Sequence, residues 1–180
     1  MIMKRPVAAL LAFSLVTMPL AFAQNADDPA TVLKAMSAVT TAPDFVNAAS
    51  YSDKFEIDSS NLAQGNTTNK AVMDFAKQMI ADHSKASEEL RNTAKADGLA
   101  VTPPPALDAR RQAMIDVLTP LKEAQFDAKY IEFQTHAHKE GVALFTAYSS
   151  NGDKPELKAF AAKTLPTLQE HLDKISASKP

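Results

Sequence analysis

The sequence predicts an all-α protein, a four-helix bundle with a long crossover that contains a short extra helix. Apolar residues recur at helical spacing in four long segments, the pattern of helices that bury one face. The composition agrees, since the 180 residues include only four Gly and no Trp. A proline-rich run at 101–105 cannot be helical and separates the segments into two pairs. Ferritin-like folds use such a long middle connection; the alternative is simple up-and-down packing with the short helix as a cap.

The first hairpin is bounded by recognisable capping residues. Thr41 precedes an early Pro and an Asp, so it is a good N-cap for a first long helix over 42–63. After a short turn, Asn69 is expected to cap the second long helix, over 70–96, and Gly98 is expected to end it. The short turn implies that these two helices run antiparallel.

The second hairpin follows the proline-rich run. A short helix is expected over 108–117, and Thr119 with Pro120 is expected to cap a third long helix that reaches about residue 149. The fourth long helix is expected over 154–176. The two hairpins are related by a weak internal repeat at an offset of 85, which matches Phe45 with Tyr130, Ile57 with Val142, Val72 with Leu157, and Phe75-Ala76 with Phe160-Ala161. With a crossover, the second and third long helices would run parallel.

Residues 1–23 are predicted to be a secretory signal peptide. Two basic residues near the start are followed by an apolar run over 7–20, and the small residues in 21–23 suit a signal peptidase. The apolar run is too short for a membrane span. Cleavage before Gln24 would release a periplasmic protein with no transmembrane span, whereas an uncleaved anchor is the alternative.

The rest of the chain is expected to divide into a polar N-terminal segment over 24–41 and the bundle domain over 42–178. Its composition excludes several classes of function. The absence of Cys excludes disulfides and thiolate metal sites. A net charge of −2 without a basic cluster argues against a nucleic-acid partner. No glycine-rich phosphate loop and no G-x-S-x-G motif is present, so no catalytic residue is assigned. A homo-oligomer or an envelope protein partner stays open.

Pieces of all four long helices together resemble the domain of unknown function 4142 family, exported bacterial proteins with a ferritin-like bundle. The matching pieces are Phe45-Val46 with Ala48-Ala49, Glu56, Phe75-Ala76 through Asp82-His83, Phe126-Asp127 with Tyr130, His138 with Val142 and Leu144-Phe145, and Leu165-Pro166 with Leu168 and His171-Leu172. The resemblance spans about 44–175 and implies the fold without implying an activity. One position departs from the family pattern, because an acid commonly precedes the histidine of the third helix and Ala137 stands there.

Three of the four histidines lie on or beside apolar helix faces. His136 has charged neighbours at helical spacing and is expected on the polar face, in contact with solvent. Counting residues outward from each turn places the other three, together with a glutamate of the first helix, in one central slab about two turns thick. These four residues are His83, His138, His171 and Glu56.

The four inward residues are the candidate metal ligands. A carboxylate-bridged di-iron site needs Glu-x-x-His on two helices, and this motif does not occur in the chain. A mononuclear site is the remaining metal interpretation, and imidazole with carboxylate suits Zn, Cu, Ni or Fe. Two alternatives stay open: histidines that only fix core packing in a structural or interaction module, and an envelope metalloenzyme, which the sequence favours less than a non-enzymatic protein.

Overall fold

The computed structural model describes residues 28–180, so the signal peptide and its cleavage site lie outside the described part. That part contains no strand and six helices, which are α1 (Pro29–Met36), α2 (Ala42–Asn66), α3 (Lys70–Ala96), α4 (Ala109–Leu118), α5 (Glu123–Asn151) and α6 (Pro155–Ser176). None of these helices combines the length and the apolar character that a membrane crossing requires. The prediction of an all-α bundle is confirmed.

The four long helices are connected as two hairpins with a crossover between them. α2 packs on α3 and α5, and α6 packs on the same two helices, so α3 and α5 lie diagonally opposite each other. The Phe75 and Tyr130 rings are 6.4 Å apart near the start of α3 and α5, and the His83 and His138 rings are 5.8 Å apart farther along both. α3 and α5 therefore run parallel, as a crossover over 97–122 requires.

Local capping chemistry explains where three of the helices begin. Thr41 accepts a hydrogen bond from the backbone N–H of residue 44 (3.4 Å), and Asn69 accepts one from that of residue 71 (3.0 Å). Asp108 caps α4 in the same way at 2.9 Å. Gly98 has φ +80°, the left-handed conformation that glycine adopts readily, and it follows the end of α3 as expected.

Two boundaries differ from the sequence-based expectation. α2 continues to Asn66 instead of ending near residue 63, which shortens the turn before α3 to 67–69. α5 begins at Glu123 with Lys122 at the N-cap position, so Thr119 lies too early to cap it and its hydroxyl donates to a carbonyl within α4 instead. Glu123 has φ +47°, and its carboxylate accepts hydrogen bonds from the N–H and hydroxyl of Thr68. A tertiary contact between the two hairpins, which sequence pattern does not show, therefore sets this boundary.

Two apolar clusters occupy the two ends of the bundle. In one cluster Phe45 stacks on Tyr148 with ring centroids 4.1 Å apart. In the other, Phe126 stacks on Tyr130 at 5.5 Å, and Phe75 packs edge-on against Tyr130. Buried polar side chains fill the layer between the clusters, and this layer contains the candidate site.

Candidate metal centre

Three imidazole rings meet in the buried layer between the apolar clusters. They come from α3, α5 and α6 and are 4%, 1% and 1% exposed for His83, His138 and His171. Their ring centroids are 5.4 to 5.9 Å apart. One ring nitrogen from each residue lies within 4.8 Å of one from each of the other two. Three helices thus deliver three imidazole donors to one small volume.

Each imidazole is held by one nitrogen, and its other nitrogen is buried without a partner. The bonded atoms and their acceptors are His83 Nδ1 with Asp53 Oδ1 (2.8 Å), His171 Nε2 with Asp82 Oδ2 (2.9 Å) and His138 Nδ1 with the Gln134 carbonyl (2.9 Å). The unpartnered atoms are His83 Nε2, His138 Nε2 and His171 Nδ1. Buried polar atoms are normally hydrogen-bonded, so three unpartnered nitrogens in one cluster require an explanation.

Glu56 of α2 supplies a carboxylate to the same layer. It is 1% exposed, its Oε1 lies 3.7 Å from His138 Nδ1, and its Oε2 has no hydrogen-bond partner. Burial raises the pKa of this carboxyl to about 7, although the nearby His83 and His171 and a hydrogen bond from Gln134 act in the opposite direction. Without a bound cation, Glu56 therefore carries a proton for much of the time near neutral pH.

Burial also determines the protonation of the histidines. It lowers the pKa of His138 to about 3 and that of His171 to about 4, so both rings are neutral at neutral pH. Burial acts on the pKa of His83 in the same direction, but the Asp53 hydrogen bond and the nearby carboxylates outweigh it and raise that pKa. The layer thus offers two neutral imidazoles, a third imidazole with a raised pKa, and one carboxyl group, which together form a donor set for a transition-metal ion once the third ring loses its extra proton.

The structure clusters the three histidines that the sequence singled out and places Glu56 in the same layer, in contact with His138, and the role of all four as metal ligands stays a prediction. His136 lies elsewhere, half-buried in a groove beside α4, because the crossover helix covers part of the face expected to be solvated. Asp53 of α2 is level with His83 of α3, in the register that the short turn at 67–69 sets between these two helices.

Sequence reasoning missed the two aspartates that hold the histidines. Asp53 lies one turn before Glu56 on the same side of α2, a spacing that marks it as a candidate partner. Ser87, one turn after His83, donates a second hydrogen bond to Asp53 Oδ2 at 2.9 Å. Asp82 has no comparable signal, because it bonds across to α6 from a partly exposed position.

Comparison with known proteins places the chain in a family without assigning it an activity. No curated protein and no solved structure matches the sequence. A family model described as a domain of unknown function matches residues 27–177, which include every helix described above and all four residues of the candidate centre. The chain therefore belongs to the domain of unknown function 4142 family.

Proposed function

We propose that this protein binds one divalent transition-metal ion in the bundle core through His83, His138, His171 and Glu56. The observation that supports it is the convergence of three buried histidines, each with one ring nitrogen that has no partner, in a layer that also holds the buried carboxyl group of Glu56. Leaving a buried polar atom unpaired costs about 1–3 kcal/mol, and four of the six such side-chain atoms in the described part of the chain belong to these four residues. A metal ion bound by the three imidazoles and Glu56 would give each of these four atoms a partner.

The surrounding hydrogen bonds support the same function. Histidine ligands in metal sites usually donate their second ring N–H to a carboxylate or a backbone carbonyl, which fixes the ring and its tautomer. Asp53 and Asp82 accept such bonds here, and the Gln134 carbonyl accepts the third. In each ring the hydrogen-bonded nitrogen therefore fixes the orientation, and the other nitrogen is left to bind the metal.

The donor set narrows the choice of ion. Three imidazoles and one carboxylate suit Zn, Cu, Ni or Fe, whereas Ca and Mg prefer oxygen ligands. The set contains a single carboxylate and lacks the Glu-x-x-His motif, so a mononuclear site agrees with it better than a carboxylate-bridged di-iron centre.

We place this protein in the periplasm, because residues 1–23 have the pattern of a cleaved signal peptide. Mass spectrometry of the protein from a periplasmic extract should give a first residue of Gln24. Recovery of the complete chain in the membrane fraction would contradict export by cleavage.

Metal content of the protein purified without a histidine tag tests the proposed function. Bound ion should approach one per chain, and Zn²⁺ or Cu²⁺ added to the stripped protein should raise Tm by about 5–10 °C, because a ligand of the folded state stabilises it by mass action. His83→Ala and His138→Ala should each abolish this shift.

His136→Ala is the matched control, since His136 lies on α5 two residues before His138 but outside the layer. It should keep the full metal-induced shift. If metal shifts neither the parent nor this control, the inward histidines only fix core packing and the proposal is wrong.

A further inference from the structure

The four proposed metal ligands come equally from the two helical hairpins. Two belong to α2 and α3 and two to α5 and α6, in the order Glu56, His83, His138 and His171. Short turns at 67–69 and 152–154 connect the helices within each hairpin, whereas the connection between the hairpins is the long crossover over 97–122. An ion bound by all four residues would therefore bridge the two hairpins.

The donor atoms are closed off from solvent in the folded protein. The free ring nitrogen of each histidine and the Oε2 atom of Glu56 are buried, so water has almost no contact with them. A solvent-open cavity between α3 and α6 contacts His83 and His171 but leaves their free nitrogens buried. Structural zinc sites are closed and use four protein ligands, whereas catalytic sites keep one position open for water or substrate. Four buried donors fit the structural class.

Exposing these donors requires the hairpins to separate, and this separation would disrupt both apolar clusters. In one cluster Phe45 of the first hairpin stacks on Tyr148 of the second at 4.1 Å. In the other, Phe75 of the first hairpin packs against Tyr130 of the second at 6.4 Å. Because each cluster is built from both hairpins, opening the layer costs much of the free energy that complete unfolding costs.

A smaller opening at the end of α6 does not suffice. His171 lies within the last two turns of that helix, so fraying of this end would free one donor of the four. Ile175, one turn further on and 1% exposed, packs in the apolar cluster that contains Phe75 and Tyr130 and so holds the same end in place. Release of the ion therefore depends on separation of the hairpins.

We infer that the bound ion is a structural one, which the protein acquires when its two hairpins pack together and holds until they separate. This inference rests on the proposed metal site and deepens it, because it gives the ion the role of joining the hairpins. Exchange of the metal should therefore follow the stability of the bundle.

The urea dependence of Zn²⁺ release tests this inference. The protein is refolded from urea with excess Zn²⁺, freed of unbound ion, and mixed with a chromophoric chelator at urea concentrations below the unfolding transition. The logarithm of the release rate should rise linearly with urea, because separation of the hairpins exposes buried surface. A release rate that does not change with urea while the protein stays folded overturns the inference and leaves the metal site standing. If the refolded protein holds no Zn²⁺, the proposed metal site itself fails.

The rate of Zn²⁺ uptake gives a second measurement. Stripped protein that refolds in the presence of Zn²⁺ should be loaded as fast as it folds. Stripped protein that is already folded should load at least about tenfold more slowly, because unfolding of a stable domain in water is much slower than its folding. Equal rates of uptake from the two starting states would mean that the folded protein exposes its donors, and they would overturn the inference.

Two glycine variants outside the buried layer form a matched pair. A Cβ at Gly152 would collide with Tyr148 and should weaken the fold, whereas one at Gly65 meets nothing within 4 Å. Gly152→Ala should speed unfolding in urea and Zn²⁺ release by the same factor, on the order of ten. Gly65→Ala should release Zn²⁺ as the parent does. Parent-like release from a Gly152→Ala protein that unfolds faster than the parent would overturn the inference.

Discussion

The buried carboxyl group of Glu56, a proposed metal ligand, lowers the stability of the folded protein when no metal is bound. Its pKa is about 7 in the folded protein and near 4.5 in an unfolded chain. The folded state therefore holds an extra proton between these values, and the stability contributed by this group is lost as pH rises through about 7. Above that pH the folded, metal-free protein contains a buried carboxylate without an adequate partner.

Glu56→Gln should accordingly stabilise the metal-free protein at about pH 8, by on the order of 3 kcal/mol, because the amide resembles the protonated carboxyl in shape. Urea unfolding of the stripped parent and variant at the same pH measures this difference. At about pH 5 the difference should shrink, since the parent carboxyl is then protonated in the folded state. A variant that is less stable than the parent at pH 8 would show that Glu56 is well satisfied as an anion.

Asp53 and Asp82 are expected to act on metal affinity through the rings that they hold. Asp53→Asn and Asp82→Asn should each weaken Zn²⁺ binding about 10–100-fold, as loss of such hydrogen bonds typically does. Competition with a chromophoric chelator measures the affinity. Asp74→Asn is the control, because Asp74 is an exposed aspartate of α3 that pairs with Lys70. If Asp53→Asn and Asp82→Asn leave the Zn²⁺ affinity as unchanged as this control does, the two aspartates do not act on metal binding through the rings.

Sequence could identify the inward residues of the centre but not their partners. The apolar stripes of three helices are each interrupted by a histidine, and this pattern can be read from the sequence alone. The three residues are His83, His138 and His171. His171 and Asp82 are 89 residues apart in the chain, so the bond between them depends on the register of α6 against α3. A shift of one helical turn, such as the one produced by the short turn at 67–69, changes which carboxylate meets which ring.

At the scale of elements, the α5–α6 connection depends on a glycine. A Cβ at Gly152 would lie 2.6 Å from the Tyr148 carbonyl oxygen and 2.7 Å from the Tyr148 ring. That ring cannot yield easily, because it stacks on Phe45 and its hydroxyl donates to Asp153 at 3.0 Å. The close approach of backbone to ring is what brings α6 back along α5.

Gly152→Ala should therefore destabilise the fold by about 1–3 kcal/mol, the usual cost of forcing extra volume into a packed site. The denaturant midpoint measures it. Gly65→Ala in α2 is the matched control, since a Cβ there meets nothing within 4 Å and alanine favours helix, so stability should hold or rise. Equal effects of the two substitutions would argue against the close packing of Tyr148.

The crossover shows which features of a helix can be predicted from sequence and which cannot. Its short helix was expected over 108–117 and is found at 109–118 with the Asp108 cap, because capping is local chemistry. Its docking was not predictable, since Arg110 reaches Glu140 with two hydrogen bonds of 3.0 and 2.6 Å across 30 residues of chain. This contact also explains why the face of α5 that carries His136 is partly covered.

For the whole molecule, Phe75 joins the apolar core to the buried polar layer. Its side chain is 2% exposed, and its ring centroid lies 6.4 Å from that of Tyr130, 6.0 Å from that of His138 and 6.4 Å from that of His171. Phe75→Ala should cost about 3–5 kcal/mol of unfolding free energy, through lost burial and a cavity. Denaturant unfolding of the stripped protein measures the loss, and a change below about 1 kcal/mol would mean that this stripe is not the core face.

Folding, metal and protons should be coupled through the same buried layer. Without metal, the layer holds protons near neutral pH, because burial raises the pKa of Glu56 to about 7 and the carboxylates around His83 raise that of its ring. Metal requires the deprotonated carboxylate and neutral imidazoles, so binding must release these protons. Affinity, and with it the stabilisation of the fold, should therefore decrease as pH falls through about 7.

The rise in Tm on adding Zn²⁺ should accordingly be largest at about pH 7.5–8 and should shrink steadily towards about pH 5.5. Calorimetric titrations in buffers of different ionisation enthalpy would measure the proton release directly. His138 and His171 contribute little to the release, because burial keeps the pKa of each ring low, at about 3 and about 4. Glu56→Gln should remove part of the proton release together with much of the affinity. A Zn²⁺-induced shift that stays constant from pH 8 to 5.5, with no proton release, would place the bound ion outside this layer.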